Sequence, residues 1–320
     1  MSDPDAAADS TLPPDDAFAL LGNETRMDIL RTLGSADGPL GFSELRDAVG
    51  VADSGQFNYH LDKLEGHFVR KSDAGYELRI AGQRVIEAVL SGAVTEAPVL
   101  EPTRVDAPCP YCGADIEISY REERLLIRCT DCGGTFPGRE STSSAFGELP
   151  YGSITLYYLP PAGLVGRDPE SLLRNVLAWT FSESIAMGNH VCPRCSAPVE
   201  STVQVCEDHD PDAEICDRCD ARFPIVVTSR CGNCGNLVKG TIRIYLISNP
   251  RIRAFFESRG IDPIAPEWAD MSVLYDREEV VTGTDPFEAQ ITYAVDGDRL
   301  RVTVDEDLEV IGVEEFAAES

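Results

Sequence analysis

The sequence predicts an α+β chain of several domains: a helix-rich N-terminal domain with one β-hairpin, two copies of a cysteine-bearing strand–helix module, and a small C-terminal β element. Three observations carry that expectation. Apolar residues between positions 15 and 92 take helical spacing, then strand alternation, then helical spacing again. The eleven cysteines, none before Cys109, fall almost entirely into C-x-x-C pairs. After position 109 the order of pairs, strands, proline turn and helix occurs twice.

Residues 1–14 are acidic, include Pro4, Pro13 and Pro14, and lack apolar periodicity, so a disordered tail is expected. Phe18, Leu21, Ile29, Leu30 and Leu33 then outline a helix or helix pair ending at Gly34. Ser43 is placed to cap a short helix through Leu45 and Val49. After a turn at Val51–Asp53, a helix opening at Ser54 or Gly55 buries Phe57, Leu61 and Leu64, which recur at i, i+4 and i+7 on one face. Gly66 ends it. Two short strands between Phe68 and Ile80 flank the turn Asp73-Ala74-Gly75, and a last helix spans about Ala81 to Leu90.

That order predicts a winged helix-turn-helix over residues 15–92. The segments Leu20-Leu21-Gly22-Asn23-Glu24-Thr25-Arg26-Met27-Asp28-Ile29-Leu30 and Asn58-Tyr59-His60-Leu61-Asp62-Lys63-Leu64-Glu65 resemble those of ArsR-like regulators, over roughly the first 90 residues. With Phe57, Leu61 and Leu64 turned inward, the candidate DNA-contacting residues are Gln56, Asn58, Tyr59 and Lys63 on the helix and Arg70 and Lys71 in the wing. Gln56 and Asn58 suit adenine edges, Tyr59 a phosphate or thymine methyl, and the cations phosphate.

Residues 93–108, with Pro98, Pro102 and Pro108, read as a linker. The first repeat, 109–188, holds Cys109-Pro-Tyr-Cys112, an alternating strand, Cys129-Thr-Asp-Cys132, Phe136-Pro137, a strand from Ser153 to Leu159 and a helix opened by Asp168 and Pro169. The second, 189–262, holds Cys192-Pro-Arg-Cys195, a strand, Cys216-Asp-Arg-Cys219, Phe223-Pro224, a strand from Thr241 to Ile247, and a helix through Phe255 to Gly260. Residues 263–320 alternate around Asp296-Gly297-Asp298 and read as a β-hairpin or small sheet.

Zinc takes four thiolate or imidazole ligands in a tetrahedron, and two C-x-x-C knuckles at the ends of a hairpin supply them, as in a zinc ribbon. Cys109, Cys112, Cys129 and Cys132, with sixteen residues between the pairs, predict one zinc site. Cys192, Cys195, Cys216 and Cys219, with twenty, predict a second. Cys206, His209, Cys231 and Cys234 remain as two half-sites, and their union gives a third site of Cys3His type interleaved with the second. The competing reading has a buried Cys206, a solvated His209 and an exchangeable Cys231–Cys234 pair. Sites with four protein ligands stabilise folds rather than catalyse. His60, His67 and His190 fall in neither a metalloprotease spacing nor a nucleophile motif, and no phosphate-binding loop is present, so an enzyme is not expected.

The chain carries 55 acidic against 27 basic residues, and Lys63, Lys71 and Lys239 are its only lysines. This is the balance of a halophilic surface, kept hydrated while salt screens its repulsion. It removes the basic-patch signature of nucleic-acid binding as evidence in either direction. Neither a secretion signal nor an apolar run of membrane-spanning length is seen, so a cytoplasmic protein without a membrane partner is expected.

Taken whole, the chain resembles haloarchaeal ArsR-like winged-helix regulators with a cysteine-rich C-terminal region. The resemblance implies sequence-specific binding to double-stranded DNA, often as a homodimer, for which the helix at 81–90 is the candidate contact. Metal-sensing members carry cysteines in or beside the winged helix. This chain has none there, so heavy-metal sensing is not carried over. Two other readings stand beside it: an adaptor whose ribbons bind transcription-machinery proteins, and a thiol or zinc sensor built on Cys206, His209, Cys231 and Cys234.

Overall fold

A computed structural model describes residues 12–135, 149–219, 221–276 and 278–317, and they divide after Glu96 into two units. Both are mixed α and β, with small sheets that are antiparallel throughout. Residues 1–11 of the expected tail, and Phe136 and Pro137 of the first repeat, lie outside the described residues.

The first unit begins with α1 (Pro14–Leu21), so the tail reading fails at its last residue: Pro14 takes the first helical turn, where its missing N–H costs nothing. Asn23 caps α2 (Glu24–Gly34) by accepting from the Arg26 N–H at 3.2 Å. α3 (Phe42–Val49) is capped at Gly41 rather than Ser43, with the Glu44 carboxylate accepting the Gly41 N–H at 2.9 Å. A left-handed Gly50 ends it. After that short turn α4 (Ser54–Leu64) starts on Asp53, whose carboxylate accepts the Gln56 N–H at 2.8 Å. β1 (Val69–Ser72) pairs with β2 (Gly75–Leu78), and α5 (Ile80–Leu90) follows. Ile29, Leu30, Leu33, Leu45, Phe57, Leu61, Leu64, Phe68, Val69, Tyr76 and Ile86 close one core. The inward face of α4 is therefore the apolar stripe Phe57, Leu61, Leu64, with Phe57 edge-on to Phe42 at 5.2 Å.

The second unit holds three sheets around a second core. β3 (Leu100–Pro108), β4 (Asp115–Arg121), β5 (Arg124–Cys129) and β6 (Ser153–Tyr158) form the first sheet in that order. β3 corrects the linker reading of 93–108. Its prolines are tolerated because it is an edge strand, with register breaks around Pro102 and before Pro108. The 20-residue α6 (Pro169–Gly188) starts on Asp168, which accepts the Ser171 N–H at 2.8 Å.

β7 (Val199–Val205), β8 (Ile225–Cys231) and β9 (Leu237–Thr241) make the second sheet. The expected strand Thr241–Ile247 is not a strand. After β9 the chain turns helical in α7 (Ile242–Tyr245) and a 3-10 turn, because Ile242, Leu246 and Ile247 share one buried face that an extended chain would split. α8 (Pro250–Glu257) ends three residues before Gly260.

After α9 (Met271–Leu274), the C-terminal element is a four-stranded meander of β10 (Glu279–Thr284), β11 (Phe287–Val295), β12 (Asp298–Val304) and β13 (Val310–Phe316). Its inner residues Ala289, Ile291, Tyr293, Leu300 and Val302 join the core of the two preceding sheets, so it is no separate domain.

Candidate metal centres and the outer face of α4

Four of the five C-x-x-C pairs sit in a tight knuckle that the local sequence dictates, while the Cys129 N–H donates instead to the Gly152 carbonyl at 2.8 Å. The N–H of the first cysteine returns to the carbonyl five residues on, at 2.7 Å for Cys109 to Ala114, 3.0 Å for Cys192 to Ala197, 3.1 Å for Cys216 to Ala221 and 2.9 Å for Cys231 to Asn236. In three of these knuckles the residue just after the second cysteine is left-handed, Gly113, Ser196 and Gly235 having φ of 75°, 61° and 73°. Backbone N–H groups also point at sulfur, from Asp131 and Cys132 to Cys129 at 3.3 Å and from Asp210 to Cys216 at 3.4 Å. Donors of this kind favour the thiolate, the form that ligates metal.

Strand register then decides which knuckles meet. β4 and β5 pair Ile116 with Cys129, bringing Cys109 and Cys112 onto Cys129 and Cys132. The Sγ separations are 3.7 Å for Cys109–Cys132 and 3.5 Å for Cys112–Cys129. This is the first predicted group, unchanged.

β7 and β8 pair Val199 with Cys231, and this overturns the predicted second and third groups. Cys192 and Cys195 meet Cys231 and Cys234, with Sγ separations of 3.6 Å for Cys192–Cys234 and 3.5 Å for Cys195–Cys231. Cys216 and Cys219 lie at the other end of the β7–β8 hairpin, in the long connection that also holds Cys206 and His209. There Cys219 Sγ stands 3.4 Å from His209 Nδ1. The ligand atoms in each group all lie within 4.8 Å of one another: Cys109, Cys112, Cys129, Cys132; Cys192, Cys195, Cys231, Cys234; and Cys206, His209, Cys216, Cys219. The groups are nested rather than interleaved. Cys231–Cys234 is the counterpart of Cys129–Cys132, and the third group occupies the place of the two-residue turn Glu122–Glu123 in the first repeat.

All three donor sets suit a thiophilic cation, so the residues fit a metal ion. Charge is unevenly shared among the thiols. Asn233, which sequence reasoning missed, hydrogen-bonds Cys195 and holds its thiol down at about 6. The Asp210 N–H does the same for Cys216, at about 7. Burial pushes Cys109 up to about 11. Each group thus offers at least one thiol at odds with a neighbour, and a divalent cation would draw the rest into the thiolate form. Met187, Cys192, Val199 and Cys231 form a small core of their own. Arg194 ties the second group to α6, 3.0 Å from Asn236 Oδ1 and 3.2 Å from Glu183.

A family model for Domain of unknown function (DUF7351) matches residues 106–310, more than half of the chain and all three groups. The chain belongs to the DUF7351 family. A second model, Domain of unknown function (DUF7347), matches residues 14–89, from α1 to near the end of α5. No curated protein and no solved structure matches. In this DUF7351 chain no helix among the described residues is long and apolar enough to cross a membrane.

The six residues singled out for DNA all lie exposed on α4 and β1. Gln56, Tyr59 and Lys63 share the side of α4 opposite the buried stripe, with the Lys63 ammonium 5.7 Å from the Tyr59 ring centre. Tyr59 is 56% exposed. Two others are engaged within the chain: Asn58 Nδ2 donates to Asp62 at 2.8 Å, and Arg70 pairs with Glu77 across the hairpin at 2.9 Å. Lys71 lies 5.2 Å from the Tyr76 ring centre.

Proposed function

We propose that this DUF7351 chain is a sequence-specific DNA-binding transcription regulator. Residues 14–90 act as a winged helix-turn-helix, and the cysteine groups are zinc sites that hold ribbon-like folds behind it. One observation carries the reading: α3, a short turn and α4 are followed by the β1–β2 hairpin, and α4 buries Phe57, Leu61 and Leu64 while Gln56, Tyr59 and Lys63 stay outside. Two of the three lysines in the chain, Lys63 and Lys71, fall on this helix and wing. In this reading both lysines are placed to contact phosphate.

Gln56 is the base-reading residue in this account, Tyr59 and Lys63 hold the backbone, and Asn58 and Arg70 contribute only once their ties to Asp62 and Glu77 open. In this reading the zinc sites act in folding, since each group offers four protein donors, which would fill a tetrahedral shell.

The test is fluorescence anisotropy of the purified chain in molar KCl, against the duplex upstream of its own coding sequence and a scrambled duplex of equal length. The reading expects preference for the first, lost in the Gln56→Ala, Tyr59→Ala double variant. Equal or absent binding by folded, metal-loaded protein would refute recognition at that duplex and favour the protein-binding adaptor.

A further inference from the structure

The third cysteine group is joined to the first by one buried side chain. Arg222, only 5% exposed, follows Cys219 by three residues. Its position is fixed from both sides by ligand residues of the third group: the Cys216 N–H donates to the Ala221 carbonyl at 3.1 Å, and the Cys206 N–H donates to the Pro224 carbonyl at 2.9 Å. Within the third loop Arg222 also pairs with Glu214 at 2.8 Å. Its other contacts belong to the first group. Nε donates to the Gly134 carbonyl at 2.8 Å, and the guanidinium lies 4.0 Å from the ring centre of Tyr111, inside the Cys109–Cys112 knuckle.

Those two contacts bear on both halves of the first group. The Gly134 N–H donates to Cys132 Sγ at 3.5 Å, and the Tyr111 N–H donates to Cys109 Sγ at 3.5 Å. Tyr111 Oη lies 2.7 Å from Thr135 Oγ1, closing the ring of contacts. Gly134 is closely packed against the next strand, since a Cβ there would meet the Gly152 carbonyl oxygen at 2.4 Å. The second group is anchored differently, through Arg194 to α6 and through its own small core.

From this arrangement we infer that the third group is a clasp on the first: a divalent cation held by Cys206, His209, Cys216 and Cys219 slows metal loss from Cys109, Cys112, Cys129 and Cys132, with Arg222 as the link. The connection between β7 and β8 has no secondary structure through Cys206–Cys219, so a cation orders it and with it the backbone that carries Arg222. Linkage is reciprocal, so emptying the first group also loosens the third. The second group stays outside the circuit. The inference rests on the metal-holding reading of the groups but not on DNA binding.

The experiment uses the full chain, zinc-loaded in molar KCl and challenged with excess EDTA. Pulses of N-ethylmaleimide are read cysteine by cysteine by peptide mass spectrometry, and native mass spectrometry counts the bound metal. Wild type is expected to hold three ions. His209→Ala, lacking the third ion, should expose Cys109, Cys112, Cys129 and Cys132 about tenfold sooner, with Cys192, Cys195, Cys231 and Cys234 at the wild-type rate. Arg222→Met should hasten the first group equally with three ions bound, and the double variant should be no faster than either single one. A wild-type count below three refutes the metal reading itself. Given three ions in wild type, a His209→Ala chain that has lost one ion yet exposes the first group at the wild-type rate, or that hastens all groups together, overturns the clasp.

Discussion

Arg243 and Glu279 form an ion pair at 3.3 Å from which both side chains are wholly removed from solvent. Burial pushes the Glu279 carboxyl up to about 7 from 4.5, against the pull of Arg243 and with a smaller push from Asp276. Tyr293, whose hydroxyl donates to the Arg243 carbonyl at 3.0 Å, closes the site. A group whose folded-state value is raised contributes stability that is fully present below the unfolded value and lost as pH rises through the folded one. The relevant window is therefore from 4.5 to about 7. At about 1.4 kcal/mol per unit, ionising Glu279 inside the fold costs about 3 kcal/mol.

The perturbation is Glu279→Gln, which cannot ionise and matches the protonated acid in shape. The assay is urea denaturation of wild type and variant in molar KCl from pH 4.5 to 8. Metal loss at acid pH affects both proteins alike and cancels in the difference. The stability of Gln over Glu should climb by about 3 kcal/mol across the window. A difference flat with pH would refute the reasoning, and a fall would mean that Arg243 over-compensates burial.

Phe57→Ala removes a side chain of 0% exposure packed edge-on to Phe42 and should cost the first unit about 3–5 kcal/mol, seen as a lower-melting transition in calorimetry with the second unit unmoved. Lys63→Ala should weaken duplex binding across sequences and lessen the slope of log affinity against log KCl by about 1; an unchanged slope removes Lys63 from the phosphate contacts. Chelation should abolish cooperative unfolding of the second unit while far-ultraviolet circular dichroism retains the helices of the first, which has no cysteine. Loss of both together would refute independent stabilisation.

What could be read before the structure was whatever short-range pattern determines. The stripe Phe57, Leu61, Leu64 has one helical solution, and the Asp296-Gly297 turn, with φ of 51° and 91°, closes β11 on β12 where the sequence pointed. The knuckles were equally plain, since C-x-x-C with a small or left-handed residue after it is a local structure. Their partners were not, because Cys216–Cys219 and Cys231–Cys234 look alike to the chain and only the pairing of Val199 with Cys231 separates them. Sequence proximity favoured the wrong pair.

β3 was hidden by Pro102 and Pro108, which mark loops unless the strand is at an edge. Thr241–Ile247 alternates like a strand, and tertiary burial of Ile242, Leu246 and Ile247 decided otherwise. Arg222 carried no local signal: a lone arginine after a knuckle means little until Tyr111 and Gly134, distant in sequence, are placed against it.

The most direct test of α4 as the DNA-reading element is hydrogen exchange by mass spectrometry on the full chain, with and without a duplex enriched from a random pool in molar KCl. The account predicts slowed exchange in Ser54–Leu64 and Val69–Ser72 on adding the duplex, absent in the Gln56→Ala, Tyr59→Ala variant. Protection confined to residues 97–320, with α4 unchanged, would contradict it and move nucleic-acid contact to the metal-bearing unit.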